Sequence, residues 1–249
     1  EIAAIDWASV FADGWSEKAE GASATELEVF ERGLRLPLNE PEIADLREDA
    51  RKLEHITGSS TTSRIDPQGW RLPEFPLPPS YLSFLAWSNG GNFSRGEREF
   101  GFFPATNVRE YLLAYQIPEY MPGAVPIAFD GGGTFYLLDL RSPPVDGEYP
   151  ILFAHAGSLG FDPEDCYVVA RTFLKACQGT TDPNQDRDPQ PQVSYPELVD
   201  VWLVKRPVTG LKGILAIKKA LKLQTSVREL KEAFDSVPAP LLRSVRFFP

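Results

Sequence analysis

The chain has 249 residues, of which 43% are hydrophobic and 24% charged, and its formal net charge at pH 7 is −10. This length allows one large domain or two unequal domains, and the composition is ordinary for a globular protein. No window approaches 18 consecutive apolar residues and no basic-then-apolar leader opens the chain, so we expect a cytoplasmic protein with no membrane span and no secretory signal.

The charge is distributed unevenly along the chain. Residues 195–249 contain ten Lys and Arg against five Asp and Glu, a net charge of +5, which leaves −15 for residues 1–194. A negative field of this size disfavours nucleic acid and attracts basic proteins, although simple solubility explains it equally well. Two cysteines, Cys166 and Cys177, are too few for a disulfide framework, so we expect buried thiols in a reducing compartment.

The first 57 residues carry helical patterns. A loose apolar stripe of Val10, Phe11 and Trp15 has helical spacing. Two overlapping capping boxes, Ser23 with Glu26 and Thr25 with Glu28, then predict the start of a further helix. Another helix is predicted to begin at Asn39, where Pro41 lies in the first turn. Together these signals predict a helical extension over residues 1–38, followed by the first helix of a domain.

The pattern changes beyond that helix. Residues 58–79 are rich in Ser, Thr, Gly and Pro and predict an ordered loop or an insertion. An apolar helix is predicted at 81–87, stopped by Asn89-Gly90-Gly91. The later segments predict strands at 100–103, 134–140 and 149–154 and helices at 108–115 and 167–174. Helices, then a strand-rich stretch, then a closing helix indicate an α+β fold.

A boundary is predicted where the charge changes sign. Residues 179–192 contain prolines and small polar residues but no large apolar side chain, so we predict a flexible linker over 179–194. Residues 39–178 then form the main domain. Residues 195–249 predict a small basic α/β module with a strand at 198–204, two helices and a strand at 242–248. Its exposed lysines either contact RNA or an acidic protein, or are simply a solvated face.

Four motifs follow one another in residues 39–177. They are an acidic helix from Glu40, Leu77-Pro78 leading to an aromatic helix that ends at Gly91, the glycine-rich stretch Pro126 to Asp139, and a closing Phe173-Leu174. Their order and spacing resemble the SUKH (Smi1/Knr4-like) superfamily, with residues 55–76 as an insertion. The resemblance implies an antiparallel sheet flanked by helices. Residues 197–249 resemble, more weakly, the C-terminal domain of the bacterial ribosomal stalk protein, which implies a protein-docking module.

The SUKH resemblance implies a non-enzymatic protein that binds other proteins. Many bacterial members are immunity proteins that neutralise toxins, often nucleases or nucleic-acid deaminases, whereas eukaryotic relatives resemble interaction hubs in signalling or cell-wall regulation. We therefore expect an immunity-type protein that masks a basic toxin, with a scaffold or regulatory protein as the alternative. The residues predicted to bind the partner lie near the glycine turns: Asn89, Phe93, Asp130, Phe135, Tyr136 and Asp139. Strand alternation is expected to expose one of the adjacent pair Phe135 and Tyr136 and to bury the other.

Nothing in the sequence favours an enzyme, a cofactor or a metal site. The glycine run after Asp130 lacks the Lys-Ser/Thr that a phosphate loop requires. A carboxylate pair of Asp130 and Asp139, and a zinc site of His155 and Cys166, are both less well supported than structural roles. Residues 156–160 match the nucleophile-elbow motif only in a near form.

Overall fold

The computed structural model describes residues 5–12, 14–57, 67–185, 198–203 and 239–246, together with Lys218 and Leu230. The chain divides into two compact units, Glu1–Pro189 and Gln190–Pro249. Among the described residues, no helix is long and apolar enough to cross a membrane.

The first unit is built on a seven-stranded sheet whose strand order follows the chain. The strands are β1 Trp15–Lys18, β2 Gly91–Arg95, β3 Arg98–Phe102, β4 Ala124–Phe129, β5 Thr134–Asp139, β6 Ile151–His155 and β7 Cys166–Ala170. Every neighbouring pair is antiparallel. An antiparallel sheet with flanking helices confirms the α+β fold that the sequence predicts.

The helices of this unit are α1 Trp7–Val10, α2 Ala24–Arg35, α3 Glu40–Thr57, α4 Pro79–Trp87, α5 Ala105–Ala114, α6 Ile117–Tyr120 and α7 Phe173–Gln178. Helix α2 begins with the first predicted capping box: the Ser23 hydroxyl accepts from the backbone N–H of Glu26, and the Glu26 carboxylate accepts from that of Ser23. Thr25 lies inside the first turn and caps nothing, so the second predicted box does not form.

Side chains alternate between two faces of the sheet, and helices cover both faces of its central strands. On the first face, Phe102 of β3 packs 4.3 Å from Phe84 of α4 and 5.8 Å from Phe173 of α7. On the second face, Phe135 of β5 packs 4.8 Å from Tyr115, which caps the end of α5, measured between ring centroids. Burial of these rings from water is the main source of stability for such a core.

Two segments differ from the helices predicted for them. Trp15–Lys18 is strand β1, in which Trp15 pairs with Phe93, so the predicted extension 1–38 is not helical throughout. Cys166–Ala170 is strand β7, and α7 begins only after Thr172, whose hydroxyl accepts from the N–H of Lys175. The β-branched pair Val168-Val169 favours the strand because such residues lose side-chain freedom in a helix.

The predicted linker begins later than expected. Residues 179–185 form a strap on the turn between β2 and β3 and belong to the first unit. The Glu97 N–H donates to the Thr180 carbonyl at 2.8 Å, and the Arg98 side chain donates to the Thr181 carbonyl at 2.9 Å. A single β-carbon on Gly179 would lie 2.3 Å from the Arg98 guanidinium carbon, which shows how closely the strap approaches. The rest of the predicted linker lies outside the described residues.

In the second unit, strand β8 Leu198–Leu203 pairs antiparallel with β9 Ala239–Arg246. Strands were predicted at 198–204 and 242–248, so the described part of both is present. The two helices predicted between them lie outside the described residues, apart from helical positions at Lys218 and Leu230. The likeness of this unit to the ribosomal stalk domain stays a prediction.

Candidate binding face on the sheet

The three aromatic residues predicted to contact a partner are buried. Phe93, Phe135 and Tyr136 are 3%, 0% and 1% exposed. Phe135 and Tyr136 do point to opposite faces of the sheet, but helices cover both faces at β5. The prediction that one of the two would be exposed is therefore wrong, because it assumed a sheet with one solvated face.

The three predicted polar residues have local structural roles. The Asn89 side-chain oxygen accepts from the backbone N–H of Ala105 at 2.8 Å, at the start of α5. Both oxygens of buried Asp139 accept from the Arg141 side chain, at 2.8 and 2.7 Å. Asp130 uses its Oδ1 to accept from two backbone N–H groups of the glycine turn, while its Oδ2 accepts no hydrogen bond from the described residues. Asp130 is also partly exposed, so it remains a candidate.

The carboxylates and thiols that were considered for catalysis or metal binding lie within the described residues. Asp130 precedes β5 and Asp139 ends it, so a whole strand separates the two carboxylates. Within the described ranges, no three His, Cys, Asp or Glu residues are grouped to hold a metal ion. Cys166 and Cys177 form no disulfide and are buried, as predicted, and burial raises the pKa of Cys166 to about 12 and that of Cys177 as well. Both thiols therefore stay protonated at neutral pH.

The second face of the sheet is open over β1 to β3. Its residues there are exposed or partly exposed, in contrast to the buried rings on the first face. We call this surface, with the end of β4 beside it, the open face: Glu17, Asn92, Ser94, Glu99, Gly101, Phe129 and Asp130. The strand register joins four of them into one row across β1, β2, β3 and β4: Glu17, Asn92, Gly101 and Phe129.

The polar end of this row is held by one hydrogen bond. The Asn92 Nδ2 donates to the Glu17 carboxylate at 2.8 Å. Because the amide nitrogen faces Glu17, the amide oxygen must face the other way. That oxygen lies 3.3 Å from the position a β-carbon on Gly101 would occupy. Asn92 therefore presents a hydrogen-bond acceptor above Gly101.

Two further carboxylates stand beside the row. The Glu99 Oε2 lies 3.0 Å from the position of a β-carbon on Gly131, so this carboxylate reaches the turn that holds Asp130. Gly131 has a φ of +81°, a conformation that glycine adopts without strain. Among the described residues, no cation forms an ion pair with Glu17, Glu99 or Asp130.

The aromatic end of the row is Phe129. Its ring stacks on Phe135 with a centroid distance of 4.1 Å and an interplanar angle of 24°. Phe103, Tyr111 and Tyr115 contact it from other directions. In the strand register Phe129 lies between Phe135 of β5 and Gly101 of β3, which has no side chain, and Phe129 is part-exposed.

The open face was not predicted from the sequence, although an alternating residue pattern indicates it. Polar or small residues alternate with aromatic ones in Asn92-Phe93-Ser94 and again in Glu99-Phe100-Gly101-Phe102. A period of two predicts that one set faces the core and the other faces water. The exposed set supplies the Glu99 carboxylate and the Asn92 amide oxygen, two groups that accept hydrogen bonds from cations.

Comparison with known proteins bears on the same part of the chain. No curated protein matches this chain. A family model, that of the SMI1 / KNR4 family (SUKH-1), matches residues 70–175. The matched residues contain strands β2 to β7 and helices α4 to α6, and so most of the open face. Residues 70–175 are therefore similar to the SMI1 / KNR4 family (SUKH-1), part of the superfamily that the sequence resembles.

Proposed function

We propose that this protein binds another protein through the open face, as an immunity-type protein that masks a toxin. SUKH-family domains bind proteins, toxins among them, and that supports protein binding in general. The observation that supports this particular surface is the set of carboxylates Glu17, Glu99 and Asp130. They lie on a sheet surface that is exposed, and no described cation pairs with them.

Electrostatics favours a basic partner such as a nuclease or a deaminase. An enzyme that binds nucleic acid must attract phosphates, so its active surface is basic. An acidic cover placed on that surface blocks the substrate by occupying its space and by cancelling the attractive field. The net charge of −15 over residues 1–194 acts in the same direction, because complementary potentials raise the association rate.

The test is a charge-matched pair of triple variants. Glu17→Gln, Glu99→Gln and Asp130→Asn remove three charges from the open face while leaving the Oδ1 acceptor of residue 130 in place. Glu28→Gln, Glu74→Gln and Glu164→Gln remove three charges from other exposed positions. The partner to be tested is any toxin found to be encoded beside the gene for this protein, and binding and residual toxin activity are both measured.

We expect the open-face variant to bind the toxin about tenfold more weakly or worse, and to restore toxin activity, while the matched variant changes binding by about twofold or less. Equal binding by the two variants would exclude the open face as the interface. The absence of any adjacent gene for a toxin that this chain inhibits would count against the immunity role itself.

A scaffold or regulatory protein is the second candidate function. The second compact unit supports it, because residues 195–249 carry a net charge of +5 that masking a basic toxin does not require. Residues 1–189 and 190–249, used as separate baits, distinguish the two roles. Recovery of one defined assembly by residues 190–249, with no toxin recovered by residues 1–189, favours the scaffold.

A further inference from the structure

The open face contains a notch at Gly101. We call it the Gly101 notch, with the backbone of Gly101 as its floor, the Asn92 amide and the Phe129 ring as its two sides, and Glu99 beside it. The register places Gly101 between Asn92 and Phe129 in the same row. The notch exists because glycine contributes no side chain at a position where the strand alternation points outward.

The polar groups that line the notch are hydrogen-bond acceptors. The Asn92 oxygen faces it and accepts no hydrogen bond from the described residues, since only the amide nitrogen is engaged. Glu99 lies two residues before Gly101 on the same face of β3 and is exposed. With the part-exposed Phe129, the register partner of Gly101, the notch offers two acceptors and an aromatic ring. A planar cation that donates several hydrogen bonds matches these groups.

The same combination holds an arginine elsewhere in this protein. The Arg141 guanidinium donates to both oxygens of Asp139 and lies 3.8 Å from the centroid of the Phe161 ring. A carboxylate beside an aromatic ring therefore already binds a guanidinium within this fold. In the Gly101 notch, Glu99 and Phe129 repeat the pair on an exposed surface.

We propose that the Gly101 notch receives an arginine side chain of the partner protein. The guanidinium stacks on Phe129, pairs with Glu99 and donates to the Asn92 oxygen. Lysine fits less well, because its ammonium is a point charge that neither stacks on a ring nor donates in a fixed plane. This inference rests on the proposed protein-binding function and adds the side chain that is recognised.

The test uses the full chain and two small probes. Acetyl-Gly-Arg-Gly-amide and its lysine counterpart are titrated at low ionic strength into the isotope-labelled protein, and backbone and side-chain amide shifts are followed by NMR. We expect saturable shifts at Gly101 and at the Asn92 side chain, and a dissociation constant about threefold to tenfold lower for the arginine peptide.

Single-residue variants test which side chains produce the preference for the arginine peptide. Glu99→Gln and Gly101→Ala should each remove the preference for arginine, whereas Glu28→Gln should keep it. A β-carbon on Gly101 would lie 3.3 Å from the Asn92 oxygen, so the exposed Asn92 side chain has to move by a few tenths of an ångström, and Glu99→Gln needs no backbone change. Equal affinity for the two peptides, shifts confined to other surfaces, or an unchanged preference in Glu99→Gln would each overturn the proposal.

The masking function and the arginine site can be contradicted independently of each other. If the open-face triple variant loses its toxin while arginine and lysine peptides bind alike, the masking function stands and the arginine notch does not. If the arginine preference is found and depends on Glu99, but no toxin is inhibited, the notch stands and the immunity role does not.

Discussion

Arg98 is a fully buried arginine, and its side chain ties α7 and the strap to β3. It is 1% exposed, and it donates to the carbonyls of Ala176 and Thr181 at 2.9 Å each. The Ala176 carbonyl lies in the last turn of α7, where the helix dipole favours a cation. The burial of Arg98 is not predicted from the sequence. Nothing in Arg98 or its neighbours indicates that a segment about 80 residues later encloses its charge.

Arg98→Met keeps the length of the side chain and removes its donors. We expect it to lower the free energy of unfolding by about 2–3 kcal/mol, since the carbonyls of α7 and the strap lose their partners. Urea denaturation measures this. Arg71→Met, at an exposed position, is the control and should change stability by about 0.5 kcal/mol or less. Equal unfolding midpoints for the two variants would show that the buried hydrogen bonds contribute nothing.

Glu42 and Arg109 form an ion pair between the first turn of α3 and helix α5. The Arg109 side chain donates to both Glu42 oxygens, at 2.7 and 2.9 Å, and so holds the pKa of Glu42 below its usual value of 4.5. Because this pKa is lower in the folded state than in the unfolded state, the pair stabilises the protein above that value. Its contribution disappears as the pH falls through the lower, folded-state pKa.

Glu42→Gln should therefore cost about 1 kcal/mol of unfolding free energy at neutral pH, and the cost should shrink progressively once the pH is below 4.5. Chemical denaturation between pH 7 and pH 3 gives the difference between the variant and the wild type. Glu28→Gln, which removes one carboxylate at an exposed position, is the control for the loss of a charge. A constant gap for Glu42→Gln would rule out the ion pair as its cause.

At the scale of elements, the start of α2 offers a matched comparison. The Ser23 hydroxyl accepts from the Glu26 N–H, whereas Thr25, which fits the same sequence motif with Glu28, lies inside the helix. We expect Ser23→Ala to lower the free energy of unfolding by about 1 kcal/mol and Thr25→Ala to leave it equal or slightly higher, because alanine favours the helix interior. Thermal unfolding of both variants is the measurement; a larger loss in Thr25→Ala would contradict the observed cap.

Elements with strong local signals were predicted well from the sequence. The apolar run before Asn89-Gly90-Gly91 gives α4, and the β-branched and aromatic run after Gly133 gives β5. Strand β1 was not predicted, because Trp15–Lys18 has no strand pattern of its own. Its strand geometry comes from pairing with β2, a partner about 75 residues later. Tertiary contacts of this kind override local preference, and a single sequence does not display them.

At the scale of the whole molecule, the candidate site also depends on tertiary contacts that a single sequence does not display. The aromatic residues predicted to contact a partner lie near glycine turns. Phe93 and Phe135 nevertheless face helices, and the sequence does not show that these helices cover them. Asp130 was predicted and remains in the open face. Glu17 joins it only because β1 pairs with β2, so its position could not be foreseen without the sheet topology. Burial at a sheet depends on which elements cover each face, and that is a property of the complete fold.

The N-terminal segment belongs to the core of the first unit, although the family match begins only at residue 70. Phe11 is 0% exposed, and its ring lies within 6.4 Å of six others: Trp7, Phe84, Trp87, Phe93, Phe100 and Phe102. We therefore expect residues 1–189 to unfold in one cooperative urea transition and residues 39–189 to show none. Without the first 38 residues, the rings beneath Phe11 would face water.

Point variants separate loss of this packing from loss of chain length. Phe11→Ala in the full chain should lower the free energy of unfolding by about 3–5 kcal/mol, the usual cost of removing a buried phenylalanine ring. Trp15→Ala should cost much less, because that ring is 45% exposed at the sheet edge. A cooperative transition for residues 39–189 with the stability of residues 1–189 would show that the domain folds without its N-terminal segment. In that case the contacts of Phe11 would be peripheral to the domain's stability.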